Sequence, residues 1–423
     1  MKKKHLVLGV TILSIFALTG CGSKEEAVVE GPAEVIEATI EEAEENEKVI
    51  VDEEAGDSEI EEVEAVVEEV ESEEIVIDRT KAFELISNIN IGWNLGNTMD
   101  AWGVGNSVDA ETCWSNPKTS QELIDCVRDA GFNAIRIPVT WGEHIGSAPE
   151  YKIDDAWMAR VKEIVDYAVN DDMYILLDTH HEEDHWLTVD PDNQEALVAE
   201  TAALWAQISE EFKDYDEKLI FEGLNEPRCK GSSAEWNGGT PAERVVVNAM
   251  NKAFVDTVRA SGGNNGERLL VICPYGNSPG NKALAELEIP EDNNIAVAVH
   301  MYTPYTFTYI PEDGSSVEVW DGSMKSNIVN TIKQLDMYFL SKDVPVLITE
   351  FGAQNKGNQA EIVKWLNDYL GSMNRYGIKC FWWDNGFYPN DGKDGNEYFA
   401  ILNRETLEWY DPEIVDALVN QEK

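Results

Sequence analysis

Two glutamates follow separate apolar runs of the sequence and together could perform acid/base and nucleophilic chemistry. Glu226 stands in an Asn-Glu-Pro segment and Glu350 in a Thr-Glu-Phe-Gly segment. Cleavage of a glycosidic bond needs such a pair, because one carboxylic acid protonates the leaving oxygen while one carboxylate attacks the anomeric carbon. A neighbouring carboxylate also raises the pKa of its partner, which keeps one of the two protonated.

The apolar runs before these glutamates belong to a set of eight, and amphipathic helical patterns separate many of them. Buried parallel strands are continuous apolar runs in sequence, and crossover helices join them. Eight such units in roughly 250 residues or more predict an α/β fold of the (β/α)8 barrel type, whose active site lies at the carboxyl ends of the strands. The predicted strands are residues 89–95, 134–139, 173–178, 219–224, 269–273, 295–300, 344–349 and 378–383.

A doubly wound open sheet is the alternative architecture for alternating strands and helices. Such a sheet usually has a glycine-rich turn of the form GxGxxG after its first strand. Residues 92–97 have the sequence GWNLGN, which does not fit that form. The barrel is therefore the preferred prediction.

Six of the eight predicted strands carry polar or aromatic side chains at or just beyond one rim of this barrel. A single polar strand end would be unremarkable, because loops begin there. The convergence of several different functional groups at one rim instead predicts a catalytic site. Its candidate members are Arg136, His180, Asn225, Glu226, His300, Tyr302, Glu350 and Trp383.

At these residues the sequence resembles glycoside hydrolase family 5, and it looks most like the endoglucanase and xyloglucanase branch, subfamily 4. The resemblance extends from about residue 80 to the C-terminus, with all segments in the family's order. It implies a retaining endo-β-1,4-glucanase without cofactor or metal, whose partner is a β-linked polysaccharide. We expect a monomer, although nothing in the sequence determines the oligomeric state. The choice among cellulose, xyloglucan, mixed-linkage glucan and mannan stays open. The matching segments are IGWNLGNTMDAW (91–102), GFNAIRIPVTW (131–141), LIFEGLNEPR (219–228), HMY (300–302), ITEFGA (348–353) and WWDNG (382–386).

The resemblance gives each candidate residue a role. Glu226 matches the acid/base and Glu350 matches the nucleophile. A fixed cation at Arg136 and a hydrogen bond from Tyr302 would favour the ionised form of Glu350. Once the glycosyl-enzyme has formed and Glu350 is neutral, the pKa of Glu226 falls and it acts as a base towards water. The supporting, substrate-binding set comprises Arg136, His180, Asn225, His300, Tyr302 and Trp383.

The N-terminus predicts export. A basic Met-Lys-Lys-Lys start precedes an apolar stretch at 5–20, which is too short to span a bilayer as a stable helix. The stretch ends in Leu-Thr-Gly-Cys, which resembles a bacterial lipobox and implies cleavage before Cys21 and acylation of its thiol. Residues 1–20 are thus a predicted lipoprotein signal peptide, and a signal peptide without lipidation is the alternative. We expect an extracellular protein that touches the cell-surface membrane only through Cys21.

Residues 21–78 are predicted to form a disordered acidic tether, and 79–423 the catalytic domain. The tether has no aromatic residue and cannot bury enough apolar surface to offset the entropy of ordering. A calcium-collecting or partner-binding tail is the alternative. The whole chain has 81 acidic against 32 basic residues and a net charge of -49, which excludes nucleic acid and anionic membrane surfaces as partners.

One motif suggests a different enzyme class. His181-Glu182-Glu183-Asp184-His185 matches the HExxH zinc-protease pattern, which requires both histidines on one face of a helix. Here the motif directly follows a predicted strand, which disfavours that alternative. A non-catalytic sugar-binding lipoprotein is a third class, and the presence of both glutamates argues against it.

The cysteines do not suggest a metal site. Five follow Cys21, without any CxxC pair, so a cysteine zinc site is not expected. Because five is an odd number, at least one thiol is free, and the pairing of the others stays open. They are Cys113, Cys126, Cys229, Cys273 and Cys380.

Overall fold

Eight parallel strands form a closed barrel in the computed structural model, which describes residues 77–393, 395 and 397–421. Each strand pairs with the next, and the first pairs with the last, so the open-sheet alternative is wrong. The predicted signal peptide, Cys21 and nearly all of the predicted tether lie outside the described residues. The strands are β1 (Gly92–Leu95), β2 (Ala134–Ile137), β3 (Tyr174–Asp178), β4 (Leu219–Glu222), β5 (Leu270–Ile272), β6 (Ile295–His300), β7 (Val346–Phe351) and β8 (Lys379–Asp384).

Helices join the strands and surround the barrel, and a short antiparallel pair, β9 (Leu402–Asn403) and β10 (Glu408–Trp409), follows β8. Within the described ranges, no helix combines the length and apolar character needed to cross a bilayer. The α-helices are α1 (Thr80–Ser87), α2 (Ala110–Cys113), α3 (Gln121–Asp129), α4 (Asp155–Asn170), α5 (Gln194–Glu211), α6 (Pro241–Ala260), α7 (Asn281–Ala285), α8 (Tyr305–Thr308), α9 (Lys325–Tyr338), α10 (Gln359–Asn374) and α11 (Pro412–Val419).

Side-chain caps set where several of the longer helices begin. The Ser120 hydroxyl accepts a hydrogen bond from the backbone of Leu123 and starts α3, and Asp154 caps α4 in the same way. Thr240 and Glu243 form a reciprocal capping box at the start of α6. Each cap satisfies backbone N–H groups that have no partner inside the helix.

Alternation along the strands separates an inner core from an outer one. Inward-facing Ala134, Leu176 and Ile220 pack together inside the barrel, whereas their strand neighbours pack against the helices. Side chains two positions further along a strand face the same way. On β2, β3 and β4 those positions hold Arg136, Asp178 and Glu222, so the apolar layer directly supports a layer of charged groups.

The strand β7 departs from this alternation at Glu350. The Thr349 hydroxyl donates to Glu222 inside the barrel, and the next residue, Glu350, also contacts the interior. Strict alternation would turn one of the two outwards. The register of β7 is irregular against both of its neighbours at this point, and such a bulge re-aims a side chain.

Most strand boundaries differ from the predicted ones by one to three residues, with only β6 matching at both ends, and two of these differences concern the glutamates. β4 ends at Glu222, so Glu226 lies in the following loop, because β4 and β5 pair through only two residues each. The loop keeps its position through a hydrogen bond from the Asn225 backbone to Thr179 (3.0 Å). β7 continues through Phe351, which places Glu350 inside the strand.

Candidate active site

Arg136 is the centre of the charged layer inside the barrel. Its guanidinium is fully buried and donates to Glu222 (2.6 Å), Glu350 (2.7 Å) and the side-chain oxygen of Asn225 (2.8 Å). It also forms an ion pair of 2.6 Å with Asp178. One cation thus holds side chains from β3, β4, β7 and the loop after β4 in fixed positions.

This cation is surrounded by more negative charge than it can neutralise. Burial raises the pKa of Asp178 to about 6 and also raises the pKa of Glu222, while Arg136 opposes both shifts. The carboxyls stay close together because each has a fixed hydrogen-bond donor. The stability of the barrel rim therefore depends on Arg136.

Arg136→Gln should destabilise the protein by about 3–5 kcal/mol, because it leaves buried carboxylates without their counter-charge. Urea unfolding followed by circular dichroism would measure the loss. Lys252→Gln is the matched control, since it breaks an exposed ion pair on α6 and should change stability by less than about 0.5 kcal/mol. Equal stabilities of the two variants would contradict this account of the charged layer.

Glu350 is held by two donors. Arg136 donates to one carboxyl oxygen, and the Tyr302 hydroxyl donates to the other at 3.1 Å. Burial raises the pKa of Glu350, and the nearby His300 and Arg136 oppose that rise. Burial also keeps Tyr302 protonated by raising its pKa. Both donors predicted from the sequence therefore contact the carboxylate whose ionised form they favour.

Glu226 has a different environment. Nδ1 of His300 lies 2.8 Å from one of its oxygens, and Arg228 donates to the other at 3.2 Å. The amide of Asn277 donates to Nε2 of His300, so the ring proton resides on Nδ1 and points at Glu226. Burial, reinforced by Glu183, raises the pKa of Glu226 to about 7, with Arg228 opposing the shift.

The two glutamates face each other. An oxygen of Glu226 and an oxygen of Glu350 lie within 4.8 Å of each other, with His300 beside both. Carboxyl groups about 5–5.5 Å apart are typical of retaining glycosidases, whereas inverting enzymes need about 6.5–9.5 Å to admit a water. Glu350 accepts hydrogen bonds from both Arg136 and Tyr302, which favour its ionised form. We therefore infer that Glu226 is the member of the pair that keeps the proton.

His180 and Trp383 form a wall beside this pair. The His180 ring is stacked parallel to Trp383 at 5.8 Å, and its Nδ1 lies 2.9 Å from Asp178. Burial lowers the pKa of His180, so the neutral ring donates through Nδ1 and Nε2 remains an acceptor. Trp382 points to the other side of the strand and is buried in the core, as its position predicts.

Asn225 faces the same space. Its side-chain oxygen accepts from Arg136, and its backbone oxygen accepts from Asn277 (2.8 Å). These contacts orient the amide so that oxygen points at the guanidinium. The amide nitrogen donates to none of the described residues, which leaves a fixed donor beside Glu226.

The eight residues that the sequence singled out therefore lie in one connected arrangement. Sequence reasoning missed five of their partners. The sequence does indicate Asp178 and Glu222, since a carboxylate within a continuous apolar run is expected to face a buried counter-charge. Asn94 has the same inward position on β1, and its side-chain oxygen accepts from Arg136 (3.1 Å). Asn277 and Arg228 come from loops, and no periodic signal indicates them.

The HExxH segment lacks the geometry of a zinc site. His181 has a left-handed backbone (φ 54°), and residues 182–184 form a single 3-10 turn. The ring of His185 packs edge-on against Trp102 at 5.4 Å, and His185 belongs to none of the possible metal-ligand groups among the described residues. The zinc-protease alternative is therefore wrong. The five cysteines after Cys21 are all free thiols.

Comparison with known proteins identifies the class to which this barrel and site belong. The model of the cellulase family, glycosyl hydrolase family 5, matches residues 97–389, and the chain belongs to this family. The protein is a retaining endoglucanase, similar to subfamily 4 of that family. The alternative of a non-catalytic sugar-binding lipoprotein is therefore not supported.

Three relatives illustrate the match. Endoglucanase A of Ruminococcus albus is 48% identical over 344 residues, which is 81% of this chain and 93% of the relative. A family 5 xyloglucan-specific endo-β-1,4-glucanase from a metagenomic library, solved with cellotriose, is 58% identical at a TM-score of 0.79, covering 81% of this chain and 99% of that one. A broad-specificity subfamily 4 endoglucanase from Ruminococcus champanellensis, with bound cellotriose, is 41% identical at a TM-score of 0.76. The match covers 80% of this chain and 98% of that one.

Proposed function

We propose that this chain hydrolyses internal β-1,4 bonds of cellulose, xyloglucan or mixed-linkage β-glucan, with Glu350 as nucleophile and Glu226 as acid/base. The observation that carries the assignment is that the two carboxyl groups lie within 4.8 Å of each other and that only Glu350 of the pair accepts hydrogen bonds from Arg136 and Tyr302. The test is the anomeric configuration of the products that azide forms with each glutamate variant, as argued in the Discussion.

In the first step Glu350 attacks the anomeric carbon while Glu226 gives its proton to the departing oxygen. The C1–O bond of the sugar breaks and a covalent ester to Glu350 forms. Tyr302 and Arg136 hold the attacking carboxylate in place, so little reorganisation is needed when the bond forms. The Asn225 amide nitrogen would donate to the 2-hydroxyl of the sugar, a bond that strengthens in the transition state.

In the second step the two glutamates have exchanged charge states. Glu350 is neutral as an ester, so Glu226 no longer has a negative carboxylate within 4.8 Å, which lowers its pKa and lets it act as a base. It takes a proton from water, whose oxygen attacks the anomeric carbon and releases Glu350. His300 donates to Glu226 at 2.8 Å and steadies it in both states. The flat face of Trp383 and the Nε2 of His180 would bind the sugar at the cleaved bond.

The alkaline limb of the pH profile of kcat/KM should follow the deprotonation of Glu226. We expect kcat/KM to fall as the pH rises through about 7, because Glu226 has to carry a proton when the first bond breaks. Arg228→Gln should move this limb to higher pH, since removing the cation favours the protonated form and leaves the negative Glu183 beside it.

A matched control for this pH prediction is Lys230→Gln, two residues further along the same loop. Lys230 pairs with the Asp184 carboxylate at the surface and does not touch Glu226, so its removal should leave the profile where it was. A limb that stays in place in Arg228→Gln, or moves to lower pH, would show that Arg228 does not act on Glu226.

The substrate range is proposed from the resemblance and the relatives. One similar structure is described as xyloglucan-specific and another as broad in specificity. Specific activities on cellulose, xyloglucan, mixed-linkage glucan and mannan, measured with reducing-end release and product chromatography, would separate these possibilities. Activity on mannan alone would contradict the proposal.

We also propose that the protein is a monomer that is anchored at the bacterial cell surface through acylated Cys21, with the acidic segment as a spacer. This rests on the basic start, the apolar stretch and the Leu-Thr-Gly-Cys segment. After expression in an exporting bacterium, the protein should enter the detergent phase of a Triton X-114 separation, and Cys21→Ser should not. Recovery of both in the aqueous phase would overturn the anchor, and a dimer mass in light scattering would overturn the monomer.

A further inference from the structure

A series of ion pairs leads from the acid/base glutamate into the segment that matches HExxH. The Nη1 atom of Arg228 lies 3.2 Å from a carboxyl oxygen of Glu226 and 2.8 Å from a carboxyl oxygen of Glu183. The same oxygen of Glu183 is 3.7 Å from Nδ1 of His181, whose Nε2 is 3.8 Å from Asp100. Glu183, Arg228 and Asp100 are buried. The two catalytic steps described above use neither Glu183 nor His181.

Arg228 is shared unequally between two carboxyl groups. A single nitrogen contacts both, and its contact with Glu183 is shorter than its contact with Glu226. The Nε of Arg228 also donates to Glu235 (3.1 Å), which fixes the orientation of the guanidinium. A cation against a carboxyl group favours its ionised form. Glu226 has to keep a proton for the first step, so it benefits when another carboxylate takes the larger share of this cation.

His181 occupies the other side of Glu183. Its backbone is left-handed (φ 54°), which is uncommon for a residue other than glycine and persists only where the surroundings fix it. The ring lies between Asp100 and Glu183 and packs edge-on against His180 at 4.5 Å. Burial alone would lower the pKa of His181, but Glu183 and Asp100 raise it to about 9. The ring is therefore a cation at neutral pH.

Glu183 is ionised between its two cations. Burial opposes its charge, but His181 and Arg228 outweigh burial and lower the pKa of Glu183 to about 2. Its negative charge in turn raises the pKa of Glu226, whereas His181 and Arg228 lower the pKa of Glu226. Glu183 and His181 thus act on the acid/base with opposite signs.

Several further titratable groups face Glu226 from the other strands and loops. Burial raises the pKa of the cysteine and the two tyrosines among them, which keeps these three groups neutral. None of these groups is altered in the variants described below. They are Arg136, His300 and Glu350 of the catalytic arrangement, Cys273, Tyr302 and Tyr309, and the carboxyl of Glu397.

From this geometry we propose that Glu183 and His181 are positioning residues for the acid/base. Glu183 withholds Arg228 from Glu226, and His181 limits how strongly Glu183 does so. Together they set the pH above which the enzyme loses its proton donor. The proposal rests on the role of Glu226 proposed above and adds two residues that act on it through Arg228.

Two substrates separate this proposal from the proposed function. Phenyl β-cellobioside has a leaving group that needs the proton of Glu226, whereas the dinitrophenyl leaving group needs none. In the wild type, the alkaline limb of kcat/KM should therefore appear with the phenyl substrate and be absent with the dinitrophenyl substrate. Equal limbs on both substrates, or cleavage of neither, would show that the proposed role of Glu226 itself is wrong, whatever the variants do.

Glu183→Gln should move the alkaline limb on the phenyl substrate to lower pH. The substitution keeps an acceptor oxygen for Arg228 but removes the charge, so more of the cation's influence falls on Glu226. We expect a shift of about half a pH unit, which is roughly a threefold loss of kcat/KM on the alkaline side. Glu183 acts on Glu226 more strongly than His181 does, so the sign holds even where His181 loses its proton.

His181→Gln should move the same limb in the opposite direction, to higher pH. Glu183 then lacks its second cation and takes a larger share of Arg228, which leaves Glu226 protonated over a wider range. The double variant should lie between the two single variants. Glu183→Asp, which keeps the negative charge, should stay close to the wild type.

His185→Gln is the matched control, because it removes another histidine of the same segment. Its ring packs against Trp102, burial lowers its pKa, and it does not belong to the ion pairs described above. The limb should stay at its wild-type position. The shift caused by Glu183→Gln should also be smaller when Arg228 is replaced by Gln, because the effect passes through Arg228.

The direction of the two shifts decides the proposal. Limbs that coincide in the wild type, Glu183→Gln and His181→Gln, or that move in the same direction in both variants, would overturn it. An equal shift from Glu183→Gln with and without Arg228 would also overturn it. Circular dichroism would show whether each variant is folded, and if Glu183→Gln is not, the sign of the shift in His181→Gln alone decides.

Discussion

Glu350→Gly should lower kcat on β-glucans by on the order of 10⁵-fold, because the covalent intermediate can no longer form. The substitution removes a side chain and leaves space on the face of the sugar from which Glu350 attacks. Azide should fill this space and displace an aryl leaving group from the opposite, β-face of the sugar. With an aryl β-cellobioside the product should therefore be the α-glycosyl azide, which NMR identifies from its anomeric coupling.

The control for Glu350→Gly is Glu267→Gln, which alters a carboxylate that is 77% exposed and forms an ion pair with the exposed Lys81. This variant should keep the activity of the wild type. A β-glycosyl azide from Glu350→Gly, or appreciable hydrolysis without azide, would show that another residue is the nucleophile.

Glu226→Ala should produce a different pattern. Loss of the proton donor should slow cleavage of natural glucans by about 10²–10⁴-fold, while dinitrophenyl β-cellobioside, whose leaving group needs no proton, should still form the glycosyl-enzyme. A burst of dinitrophenol followed by slow turnover is therefore expected. Azide needs no general base and should release the sugar as the β-glycosyl azide.

The two variants together decide the assignment, because the azide products differ in configuration. Stopped-flow absorbance would show the burst, and NMR would show the anomer. Identical products from both variants would contradict the separate roles of Glu226 and Glu350. A loss of the burst in Glu226→Ala would indicate that this residue also supports the attack itself.

The sequence predicted the barrel because each buried strand is a short apolar run. It predicted the eight site residues because the family resemblance places them, and the structure brings those residues together. The strand boundaries were less predictable. The end of β4 depends on its short pairing with β5, and the inward turn of Glu350 depends on an irregular register with both neighbours. Neither effect is visible in the local sequence, since both arise between strands.

The supporting partners were predictable to different degrees. Asp178 and Glu222 stand out as charges within apolar strands, so a search for buried counter-charges would find them. Asn277 determines which ring nitrogen of His300 carries the proton. It belongs to a short loop after β5, and the path of this loop depends on its contacts with the neighbouring loops. Arg228 contacts Glu183 in the loop after the neighbouring strand β3, and this contact exists only once both loops have folded.

The wide sequence separation of the contacts around Arg136 has a consequence for folding. Arg136 and Glu350 are 214 positions apart, and the Trp93 indole and its Asp384 partner are 291 positions apart. Contacts of such high contact order form late, because most of the intervening chain must be ordered first. The nucleophile therefore acquires its counter-charge only when the ring of strands is complete. Recovery of hydrolysis during refolding should coincide with ring closure and lag behind the appearance of helices.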